Sequence, residues 1–124
     1  MKWSIYPFGG STIKLIQQIG YVHAMDLLLT ARLIDAAEAA RLGLVNRLVP
    51  QGELMRWAIE TAEMIAANSP SAVQAVKRQV SGTIADHALT REALEQQLGD
   101  EVRASLHFTE GIAAFREERK PHYE

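Results

Sequence analysis

The stretch LLTARLIDAAEAARLGLVNRLVPQGEL, Leu28 to Leu54, decides the reading of this chain. Asp35 followed by Glu38 has the spacing of a capping box, in which two side chains satisfy backbone N–H groups at a helix start. Ala36, Ala37, Ala39 and Ala40 are strong helix formers. Gly43 stands where a left-handed C-terminal cap belongs. Leu44-Val45 and Leu48-Val49 then read as a short extended segment, which Pro50 ends. Gly52-Glu53 opens a second helix, about residues 53–67, with Leu54, Trp57, Ala58, Thr61 and Ile65 on one face.

Working outward, residues 1–10 (MKWSIYPFGG) carry no helical pattern. Trp3, Ile5 and Tyr6 suggest a strand or a pocket-lining loop, broken by Pro7 and Gly9-Gly10. Ser11 or Thr12 is the expected cap of a helix that carries Ile13, Leu15, Ile16 and Ile19 up to Gly20. Another short helix follows over residues 21–30. Beyond the central stretch, Asn68 is an expected C-terminal cap, and Ser69-Pro70 is a helix start with proline at its first position. Val73, Val76, Val80 and Ile84 mark that helix. A long helix is expected from about Leu89 to Leu106, with Gly99 weakening its middle, and a last one from about Thr109 to Glu118. Helices this short need packing partners, within the chain or on another.

The 124 residues fit one domain at most, and 48% hydrophobic content suffices for a core. A net charge of -2 gives no basic excess to draw nucleic acid. The absence of cysteine excludes disulfides and thiolate chemistry and implies the cytoplasm. No apolar run reaches membrane-spanning length, and Lys2 has no signal-peptide core behind it.

The pattern LT-x2-LIDAAEA-x2-LGLVN-x-LVP, with Pro7-Phe8-Gly9-Gly10-Ser11-Thr12 before it, resembles the C-terminal portion of the enoyl-CoA hydratase/isomerase (crotonase) family. Ser69-Pro70, Ala75, Lys77, Glu110-Gly111, Ala114-Phe115 and Arg119 extend the resemblance over nearly the whole chain. It implies a mainly α fold. Residues 1–68 would close a crotonase core, with an acyl-pocket wall and its following helices. Residues 69–124 would form a helical oligomerisation region, with the faces around residues 70–118 as the surface between subunits of a trimer or hexamer.

The resemblance also implies acyl-CoA thioesters as substrates, hydration of 2-enoyl-CoA above all, with coenzyme A arriving as part of the substrate and no separate cofactor. Family members hold the thioester oxygen with two backbone N–H groups and use two glutamates on water and the alpha proton. The second glutamate would fall immediately before Met1, so residues 1–124 are expected to lack catalytic residues and to be inactive alone. The position usually held by glycine, whose N–H meets the catalytic water, is Phe8 here. Trp3 and Tyr6 fall where the family lines its acyl pocket; plain core aromatics are the other reading. Phe115 matches a phenylalanine that holds the CoA nucleotide of a neighbouring subunit. The lysine often found three residues on is replaced by Glu118, which leaves Arg119 and Lys120 to meet a phosphate, or a solvated helix end.

His23, His87, His107 and His122 show no metal-ligand spacing. Gly9-Gly10 before Ser11-Thr12 resembles a phosphate cradle but lacks the full P-loop pattern. Two further functions stand beside the enzyme reading. One is a non-catalytic assembly module that oligomerises through its helices. The other, a small helix-turn-helix DNA binder over residues 21–42, conflicts with the acidic balance.

Overall fold

A computed structural model describes residues 1–124. Seven α-helices follow one another: α1 (Ser11–Ile19), α2 (Tyr21–Thr30), α3 (Ala36–Leu42), α4 (Leu54–Ala66), α5 (Pro70–Leu89), α6 (Glu92–Arg103) and α7 (Leu106–Arg116). A single 3-10 turn, Gln51–Glu53, leads into α4. The expected extended segments form no strand. Residues 1–10 and 44–50 run as turns, bends and coil, since neither finds a neighbouring strand to pair with.

The helix-end signals at Asp35, Gly43 and Pro70 act as read. Asp35 caps α3, its Oδ1 accepting the Glu38 backbone N–H at 2.7 Å. Gly43 ends α3 at φ 84°, and the Leu44 N–H reaches back to the Ala39 carbonyl at 2.9 Å. Asn68 Nδ2 donates to the Met64 carbonyl at 2.7 Å beyond α4. The Ser69 carbonyl accepts the Val73 N–H at 3.0 Å, so α5 begins at Pro70.

Two expectations are corrected. α1 is capped neither by Ser11 nor by Thr12; its N-cap is Gly10 at φ 68°, and the Ser11 hydroxyl turns back to the Phe8 carbonyl. The helix expected from Leu89 to Leu106 is broken twice. Thr90 Oγ1 donates to the His87 carbonyl at 2.8 Å and closes α5. Ser105 then caps a new helix, accepting the Phe108 N–H at 3.2 Å, so α7 starts at Leu106 rather than Thr109.

The chain divides into two compact units, one of residues 1–34 with 87–124, the other of residues 35–86. In the first unit Ile19, Ala24 and Ala114 are the buried apolar residues. In the second it is Leu42 alone. The α4 stripe of Leu54, Trp57, Ala58, Thr61 and Ile65 lines an open cleft with Leu44 and Val49, and Leu54 is 60% and Ile65 53% exposed. Such faces have the composition of a core and the exposure of a surface.

Candidate functional site

The aromatic residues near the N-terminus pair rather than scatter. Trp3 meets Phe115 of α7 edge-on, ring centroids 5.4 Å apart at 73°. Lys2 Nζ lies 4.9 Å from the Trp3 ring centroid. Tyr6 meets Phe8 edge-on, also at 5.4 Å. The Phe8 ring lies against Gly99 of α6, and the Arg103 guanidinium stands 4.5 Å from its centroid. Trp3, Tyr6 and Phe8 are half-buried, while Phe115 is 60% exposed. The structure therefore joins Trp3 with Phe115, two residues read from sequence as serving the acyl group and the nucleotide separately.

Tyr6 also lines a small cleft with Thr12, Leu94, Glu95 and Leu98. At its edge the Gly10 N–H, the first free donor of α1, is met by Glu95 Oε1 at 2.9 Å and Oε2 at 3.3 Å. A carboxylate of this chain thus holds the position that the phosphate-cradle reading would give to an anion. Glu95 lies 85 residues from Gly10 in sequence, and no local pattern points to it.

Beyond α7 the chain turns on Glu118, which takes a left-handed φ of 54°. That turn aims Arg119 back along the helix. Its Nη1 and Nη2 donate to Glu110 Oε1 and Oε2 at 2.6 and 2.9 Å, and Nε donates to Glu117 at 2.6 Å. The guanidinium read from sequence as a phosphate partner thus donates to two carboxylates of its own chain. Lys120 is exposed, and its carbonyl accepts a further Arg119 bond at 3.2 Å. Glu110 Oε1 also accepts the His122 backbone N–H at 2.8 Å. The Arg119 hydrogen bonds, then the His122 N–H, lower the Glu110 carboxyl from 4.5 to about 2. Arg119 is raised in turn, first by Glu110 and then by Glu117.

His107 meets the Tyr123 ring edge-on at 5.4 Å, and His87 Nδ1 lies 2.7 Å from Gln17 Nε2. No group of three histidine or acidic side chains has the arrangement of a metal site.

Residues 1–124 match the family model described as enoyl-CoA hydratase/isomerase. The chain belongs to the enoyl-CoA hydratase/isomerase family. It is 43% identical over 123 residues to enoyl-CoA hydratase EchA19 of Mycobacterium tuberculosis, covering 99% of this chain and 46% of that protein. A crystal structure of an enoyl-CoA hydratase/isomerase from Pseudoalteromonas atlantica superposes with a TM-score of 0.88 at 32% identity, over 99% of this chain and 50% of that one. A carnitinyl-CoA hydratase from Mycobacterium avium superposes with a TM-score of 0.84 at 31% identity, over 93% of this chain and 45% of its own. The chain thus spans about half the length of the relatives it matches. Its helices are the C-terminal, helical part of a crotonase fold.

Proposed function

We propose that this chain is the pocket-wall and assembly portion of an enzyme that acts on acyl-CoA thioesters, with hydration of 2-enoyl-CoA as the reaction of the intact protein. The family match across residues 1–124 carries this reading. Coenzyme A enters as part of the substrate, and no separate cofactor takes part. Trp3, Tyr6 and Phe8 supply wall for the acyl group, and Phe115 with Arg119 and Lys120 serves the CoA nucleotide of a neighbouring subunit. The resemblance places the oxyanion hole and the two glutamates in the part of the relatives that residues 1–124 do not match, and in this reading residues 1–124 alone do not turn over substrate. In this reading the intact protein assembles as a trimer or hexamer in the cytoplasm and serves fatty acid metabolism. No helix is long and apolar enough to cross a membrane.

An enoyl-CoA hydration assay tests the reading. The purified chain is expected to show no turnover, and a mixture with a chain supplying the preceding half of a relative is expected to show some. Turnover by residues 1–124 alone near that of intact relatives would overturn the inactive assignment.

A second reading, a non-catalytic assembly module, draws on the exposed apolar faces. Leu33 is 97%, Leu106 88% and Met55 69% exposed. Light scattering on the purified chain separates the outcomes. A defined oligomer is expected; a well-folded monomer at all concentrations sinks the module.

A further inference from the structure

Gly111 lies buried where three pieces of the chain meet. A Cβ there would stand 2.3 Å from the Trp3 carbonyl oxygen and 3.1 Å from the Tyr123 hydroxyl. Only glycine lets the backbone at Trp3 approach α7 so closely. Four residues on, Phe115 takes the Trp3 ring edge-on. The Tyr123 hydroxyl donates to the Lys2 carbonyl at 2.8 Å, so the far end of the chain fastens the residue before Trp3.

Tyr123 is itself held in place. Glu110 grips the tail twice, through the Arg119 guanidinium and through the His122 N–H. His107 packs edge-on against the Tyr123 ring, and its Nε2 lies 3.0 Å from the Glu124 carbonyl. Both Glu110 and His107 sit on α7, the helix that carries Gly111 and Phe115. One helix therefore holds Trp3 directly by its ring and backbone, and a second time through the tail.

We propose that residues 119–124 are a strap that positions Trp3, with Tyr123 as the positioning residue and Glu110 as its anchor, and that the strap thereby sets how much acyl chain fits against the indole. The strap is read from the contacts above; its consequence for the acyl group rests on the proposed reading of Trp3 as pocket wall.

The test uses the full chain carrying Trp57→Phe, which leaves Trp3 as the only tryptophan. Tyr123→Phe keeps the ring and removes the hydroxyl donor. Acrylamide quenching of Trp3 is expected to rise roughly two-fold or more, the order of change that losing one hydrogen bond produces in a local opening equilibrium. Glu110→Gln is expected to move quenching the same way, with the far-UV helical signal unchanged in both. Quenching equal to the parent in both variants overturns the strap. So does a parent whose Trp3 is quenched as freely as in the urea-unfolded chain, a comparison that needs no variant to fold. Hexanoyl-CoA, with free coenzyme A as control, then addresses the pocket. A shift of Trp3 emission by the thioester alone supports its role there. No shift overturns that role and leaves the strap standing.

Discussion

The Phe8 ring fills the space a side chain at Gly99 would need: a Cβ built on Gly99 would stand 1.9 Å from Phe8 Cζ and 2.3 Å from Cε1. The ring has little room to pivot, because Tyr6 meets it edge-on and the Arg103 guanidinium stands over it. Gly99→Ala sets two effects against each other. Helix propensity favours alanine by about 1 kcal/mol. Overpacking against a held ring costs about 1–3 kcal/mol. The expected net is a loss of about 1 kcal/mol in urea unfolding. In a Phe8→Ala background the sign should reverse, since propensity alone remains. Equal destabilisation in both backgrounds would show that the ring is not what Gly99 accommodates.

Gly99 also marks where sequence reading stops. Asp35, Gly43, Asn68 and Pro70 act within a few residues, so their patterns locate helix ends directly. Phe8 and Gly99 meet across the fold, and from sequence the glycine reads only as a weak point in a helix. The break near residue 105 is hidden for a different reason. Leu94, Leu98, Val102 and Leu106 keep a four-residue spacing straight through the end of α6. Arg119 was legible as a cation near the chain end, but its carboxylate partner Glu110 lies nine residues back and depends on the left-handed turn at Glu118.

Glu110 gives the tail a pH dependence of definite sign. Its carboxyl is lowered in the fold from 4.5 to about 2, so the ionised form is the one the fold prefers. The stabilisation is complete above the unfolded value and is lost as pH falls from 4.5 toward about 2. Thermal melts of the parent and Glu110→Gln should differ near neutral pH and converge through that interval. A gap that stays constant across it would mean that the Arg119 pair does not couple to folding.

The ends of α3 and α7 have the same geometry with different residues. Gly43 and Glu118 are both left-handed, at φ 84° and 54°. Each is followed by an N–H that reaches five residues back, Leu44 to Ala39 at 2.9 Å and Arg119 to Ala114 at 3.0 Å. Glycine carries no penalty in that region, whereas an L side chain costs about 1–2 kcal/mol. Against this, glycine adds about 0.4–1 kcal/mol of unfolded-chain entropy. Gly43→Ala is expected to destabilise by about 1 kcal/mol, and Glu118→Gly to stabilise by up to about 1 kcal/mol. Chemical denaturation of the two variants checks both signs.

Glu95 supplies α1 with the cap its own sequence does not. Ser11 turns its hydroxyl to the Phe8 carbonyl, and Gly10 has no side chain, so the Gly10 N–H depends on the Glu95 carboxylate at 2.9 Å. The carboxylate also sits at the positive end of the helix dipole. Removing a capping acceptor costs about 1 kcal/mol, and losing only the charge costs about half that. Glu95→Ala should therefore destabilise more than Glu95→Gln, which keeps an oxygen acceptor. Amide exchange should localise the loss, with protection falling first in residues 11–14 at the start of α1. Exchange there equal to the parent in both variants would mean that Gly10 finds another acceptor, and that Glu95 holds α6 in place without supporting α1.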